Sequence, residues 1–207
     1  HRFGEMALSY GLHYIETYTK AQVTIYAEYL EKYPPEYEVE IIENTAWSSF
    51  PHLERWSSDG GGNTGGNPDW HQRWRAPLRS AFDWLRNELI PLYETEMQVF
   101  VQDPWAVRDD YIAVILDRSR ANVMHFIQRH TGHELSKEQQ VRFLQLLEMQ
   151  YHAQLMYTSC GWFFDELSGI ETVQVLHYAA RAIQLAEYLF KADLEGPFLE
   201  RLAAARS

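Results

Sequence analysis

Two carboxylates directly follow three consecutive aromatic residues in the stretch from Tyr157 to Ser168, which also holds the single cysteine, Cys160. Trp162, Phe163 and Phe164 lead into Asp165 and Glu166. Large aromatic rings beside acids are how proteins hold sugars, by stacking on C–H faces while carboxylates take the hydroxyls. An apolar wall can also raise a carboxyl pKa toward the value a general acid needs. That makes Asp165 the catalytic candidate of the chain if any residue here does chemistry. The plain alternative is a well-packed corner, since one of three consecutive aromatics is nearly always core.

A second set falls in the irregular segment before the first long helix: Trp47, Ser48, His52, Arg55, Trp56 and Asp59. His, Arg and Asp within one loop suit an anionic or hydroxylated ligand, or else a loop pinned by an Arg55–Asp59 pair. Glu148 and His152 stand four residues apart on one helix face. They resemble half a metal site, but no Cys or HExxH pattern supplies the remaining ligands zinc requires. His125, His130 and His133 read as surface or hydrogen-bonded histidines. No metal or cofactor is expected. Nucleophile elbows, phosphate loops and dinucleotide fingerprints are all missing from the sequence.

The elements that would position these residues are mostly helical. Phe3 to Glu16 reads as a helix, and Thr19 with Gln22 as a capping box opening a second that stops before Pro34. Tyr37 to Ile42 carries the one convincing strand pattern. Glycines dominate residues 60–68, expected to be a mobile insertion. Leu78, Phe82, Leu85, Leu89 and Leu92 recur at helical spacing, with a kink expected at Pro91. Asp103 and Pro104 open a further helix, and Gly132 should close the one before it reaches Ser136. Ser136 with Gln139 and Ser168 with Glu171 form two more capping boxes. Behind the first, Leu144, Leu147, Tyr151 and Leu155 make a buried stripe. The helix after the second is apolar almost all round, and so the most buried.

Composition sets the outer limits. The 207 residues are 46% hydrophobic and 14% aromatic, ample for a core. A net charge of −11 excludes nucleic acid and anionic membrane surfaces as partners. With one cysteine there is no internal disulfide, and no run approaches a membrane span, so a soluble cytoplasmic protein is expected. The fold class is mainly α, a bundle of about six to eight helices behind a short helix–helix–strand piece. Residues 1–45 and 46–207 divide it.

The run from Met156 to Gln174, with Tyr178 to Ile183, resembles the signature of domain-of-unknown-function family 3536. Shorter matches are Phe3 to Leu8, Trp47-Ser48, His52, Arg55-Trp56, Asp59, Trp74 to Leu78, Asp103 to Trp105, Arg108 to Tyr111 and Leu194 to Phe198. The family usually carries cysteines around Asp59, where this chain has Gly60, Gly61 and Gly62. Such domains typically form the C-terminal half of bacterial proteins similar to glycoside hydrolase family 57. The resemblance implies a helical part lining the cleft for an α-glucan or related oligosaccharide. It places the catalytic carboxylates on an upstream β/α barrel of the same polypeptide, of which residues 1–45 would be the tail. On this reading Trp47, His52, Arg55, Trp56, Asp59, Trp162, Phe164, Asp165 and Glu166 face the oligosaccharide. Two alternatives stay open: a non-catalytic carbohydrate-binding or assembly module of an inactive homologue, and a freestanding hydrolase using Asp165 and Glu166.

Overall fold

A computed structural model describes residues 2–45, 53 and 56–206, and no strand occurs among them. The chain divides into two units, His1–Glu43 and Asn44–Ser207.

The first unit holds α1 (Arg2–Tyr18) and α2 (Tyr26–Lys32). Thr19 does not open α2. Its hydroxyl donates to the Ile15 carbonyl (2.7 Å) and accepts from Ala21 N–H (3.0 Å), so it finishes α1 and the expected capping box is absent. No strand forms over residues 37–42, where one was expected. The alternation of Val39 and Ile41 has no neighbouring strand to complete its backbone hydrogen bonds. None of the described side chains of this unit is buried, and Phe3, Tyr26, Tyr37 and Val39 lie open.

The second unit is built around α3 (Arg75–Met97), which packs against α4 (Pro104–Asp110), α7 (Lys137–Leu155), α8 (Ile170–Phe190) and α9 (Glu195–Leu202). Leu78, Phe82, Leu85 and Leu89 are wholly buried, as their spacing requires. The stripe then shifts to Tyr93 and Met97, leaving Leu92 only half-buried. Pro91 sits on the exposed face, and α3 stays one continuous helix through it. The shorter α5 (Ile112–Leu116) and α6 (Arg120–Thr131) complete the bundle.

Local signals explain several helix ends. The Asp103 carboxylate accepts from Trp105 N–H (3.0 Å) and Ala106 N–H (3.1 Å), with Pro104 as first helical residue. Ser136 and Gln139 form the reciprocal capping box of α7. Gly132 closes α6 in the left-handed conformation at φ 71°.

The most extensive helix pair is α7 with α8. Ala179, Ala182 and Ala186 are fully buried on α8, and such small side chains let the two helices approach closely. On α7 the expected stripe is offset. Phe143, Leu146, Leu147, Met149 and Ala153 are buried, whereas Leu144, Tyr151 and Leu155 are half-buried. The helix is covered on two sides, by α3 and α8, so a single stripe understated its buried width.

Candidate functional site

Between α7 and α8 the chain makes one 3-10 turn, Ser159–Trp162. Gly161 is pressed against α8, its carbonyl accepting the Thr172 hydroxyl at 2.8 Å. A Cβ there would lie 2.5 Å from Val175 Cγ1 and 3.1 Å from the Glu171 carbonyl, so only glycine fits. That seating turns Trp162 inward. Its indole is 1% exposed, stacked on Trp74 (6.3 Å, 25°) and edge-on to Phe82 (5.6 Å). Trp162, expected on a sugar face, thus lies in the core. Phe163, which follows it, is 45% exposed, and Phe164 is half-buried against it.

Asp165 is also buried, and the glycine-rich loop covers it. Thr64 donates its backbone N–H to Oδ2 (2.6 Å) and its hydroxyl to Oδ1 (3.0 Å). The expected mobile insertion is thus a hydrogen-bonded loop. Gln72 Oε1 accepts from the N–H groups of Gly60 and Gly62, both at 3.2 Å. Asn63 Oδ1 accepts from Gly65 N–H, while its amide donates to the carbonyls of Asn67 and Trp70. The Trp70 ring lies over Gly66 and remains 36% exposed.

Arg75 joins the two halves. Its guanidinium is 1% exposed and donates to the carbonyls of Phe163 (2.8 Å), Phe164 (3.4 Å) and Ser58 (3.4 Å) and to Gln72 Oε1 (3.0 Å). Burial pushes the Asp165 carboxyl up, but the Thr64 hydrogen bonds and the Arg75 charge outweigh it and hold it below the usual carboxylate range. A general acid needs the opposite shift. Asp165 is held as a loop anchor, an arrangement that speaks against the expected roles of catalyst and sugar ligand.

Glu166 folds back on its own turn, accepting from the N–H and hydroxyl of Ser168, each at 2.6 Å. This displaces the expected Ser168–Glu171 capping box, and Gly169 begins α8 without a side-chain cap. Asp59 likewise accepts from Gly61 N–H at 3.0 Å and is exposed. Trp56 is half-buried against the core. Trp47, Ser48, His52 and Arg55 lie outside the described residues. Beside the 3-10 turn a cavity of about 250 Å³ is lined by Cys160, Ile170, Glu171 and Tyr178 among others.

Among the described residues no three His, Cys, Asp or Glu side chains converge as metal ligands. None of the described helices is long and apolar enough to cross a membrane.

Sequence reasoning missed Thr64, Gln72 and Arg75. A signal for Arg75 exists, because positions 75, 78, 82, 85 and 89 continue one apolar stripe with an arginine at its head. A charge in such a position needs partners when buried. Thr64 gives no comparable signal.

The anchor yields a local prediction. Asp165→Asn presents an amide that satisfies the two Thr64 donors less well, so amide exchange in residues 60–66 should quicken on the order of tenfold. Acid should act in the same way. The Asp165 contribution is complete above the carboxyl's unfolded value, about 4, and is lost as pH falls through the lower folded value. Hydrogen exchange followed from pH 6 downward checks both, and protection unchanged in Asp165→Asn would refute the anchor.

Residues 70–207 match the family model described as "Domain of unknown function (DUF3536)". No curated protein and no solved structure matches the chain.

Proposed function

We propose, from the premise that this chain belongs to the DUF3536 family, that its helical unit is a non-catalytic wall for an oligosaccharide. The catalytic carboxylates would stand on a glycoside hydrolase family 57-like barrel of the same polypeptide. One observation carries the non-catalytic part: Asp165 engages both its carboxylate oxygens with Thr64, and Glu166 turns its Oε2 back onto Ser168. The binding part draws support from what the anchored loop leaves open. Phe163 and Trp70 are the exposed rings on the two segments that Thr64 and Asp165 tie together. They replace Trp162 and Phe164 as stacking surfaces.

Calorimetry with maltooligosaccharides on the 207-residue chain tests this. Phe163→Ala and Trp70→Ala should each weaken binding about three- to tenfold, the worth of one stacked aromatic, with the melting temperature unchanged. Full affinity in the double variant, or no affinity for any glucan tested, would reject the reading.

A second reading, an assembly module, is favoured by the first unit. Segments of about 40 residues seldom fold alone, and this one exposes Phe3, Tyr26, Ile25 and Val39. A chain that elutes as an oligomer, and returns to monomer when α1 residues Phe3 and Tyr10 become serine, would support it.

A further inference from the structure

A cavity of about 340 Å³ opens between α5, α6 and the segment joining them on one side and the faces of α7 and α8 on the other. Its polar side is formed by Arg118, Glu148, His152 and Arg181, with Tyr111 behind them. Glu148 Oε1 accepts from the Tyr111 hydroxyl (2.6 Å) and from Arg118 Nη1 (2.8 Å), so that carboxylate is already balanced. Arg181 donates to the neutral Gln184 Oε1 at 3.3 Å and pairs with no carboxylate among the described residues. His152 Nε2 stands 3.8 Å from Glu148 Oε2, too far for a direct hydrogen bond. The other ring nitrogen, Nδ1, is buried without a partner. A bare lone pair there costs less than an orphaned N–H, which puts the proton on Nε2 as a donor on the Glu148 side.

Two guanidinium groups and an imidazole N–H thus surround one balanced carboxylate, leaving a local excess of positive charge in a chain of net charge −11. The opposite wall is apolar: Val114, Val123, Leu144 and Leu185. We infer that this cavity binds a small organic carboxylate, its anionic group on Arg181 and His152 and its short apolar body against the valine and leucine wall. The volume falls in the range of small-molecule sites, and a guanidinium is the side chain best shaped for a carboxylate. The Glu148–His152 pair, noticeable in the sequence as half a metal site, is on this assignment part of an anion site.

His152 reports occupancy. Burial holds its pKa below the ordinary value; Glu148 raises it in part, and Arg181 and Arg118 lower it further. The other groups around the ring are Tyr151 on its own helix, Tyr178 on α8 and Tyr111. An anion set among the arginines offsets their repulsion, so the imidazole pKa must rise.

Acetate, butyrate and inorganic phosphate, titrated into the full 207-residue chain with the His152 ring followed by NMR, test the inference. Butyrate is expected to saturate, to raise the His152 pKa, and to bind on the order of tenfold tighter than acetate through its two extra methylenes. Arg181→Gln should weaken butyrate about tenfold or more at unchanged melting temperature, while Arg206→Gln, the same charge change elsewhere, leaves it intact. Four results would each overturn the inference: no saturation, butyrate no tighter than acetate, phosphate tighter than butyrate, or full affinity in Arg181→Gln.

Discussion

Replacing Trp162 with alanine lowers the stability of the helical unit by about 3–5 kcal/mol, the cost of emptying a fully enclosed indole site. The loss is large because the ring contacts Trp74 and Phe82 at once, and both belong to the α3 core. Neighbours cannot close over the space: Gly161 and Thr172 fix the backbone on one side, and α3 is continuous on the other. Trp162→Phe keeps much of the packing and should cost about half as much. Urea denaturation measures both. The accompanying fall in melting temperature is about 6–20 °C for a domain of this size. Glycan affinity of the folded fraction should not change. A stability loss below about 1 kcal/mol, joined to a loss of glycan binding, would return Trp162 to the ligand face.

The second large effect is at Arg75. Arg75→Ala takes away the donor shared by the Phe163 carbonyl, Gln72 Oε1 and the Ser58 carbonyl, and leaves a guanidinium-sized void beside Trp74. Leaving these buried carbonyl acceptors unpaired, together with the void, costs about 3–5 kcal/mol. Two segments distant in sequence should respond together, residues 58–64 and 163–165, with a common gain in amide exchange. Asp165 also loses a favourable charge, so its carboxyl should move up toward the ordinary range. Arg75→Lys restores the charge without the fork of donors, and should recover less than half of the stability. Independent loosening of the two segments would show that Arg75 does not couple them.

The helices announced themselves in the sequence because their apolar spacing and caps are local. The Leu78–Leu89 stripe, the Ser136 box, the Asp103 cap and Gly132 all act within one turn of the residues they organise. The corner at 157–168 was legible as unusual but not as to which ring faces inward. That depends on Gly161 meeting Val175, a contact between two elements. The same limit hid the role of Asp165, since its partner Thr64 belongs to a loop with no pattern of its own. Residues 37–42 failed in the other direction: β-like alternation is present, and no second strand exists among the described residues to use it.

The Thr64–Asp165 hydrogen bonds join positions 101 residues apart. Closing so long an open chain costs about 2 kcal/mol more than closing ten residues, by the logarithmic growth of loop entropy, and that extra cost shrinks once the chain between has folded. The helices between them must shorten the gap first. During folding, α7 and α8 can meet through a short connection, α3 can join them, and the glycine loop settles on Asp165 last. The surface bearing Trp70 and Phe163 is accordingly the final part of the helical unit to mature and the first to come undone, whatever ligand it meets.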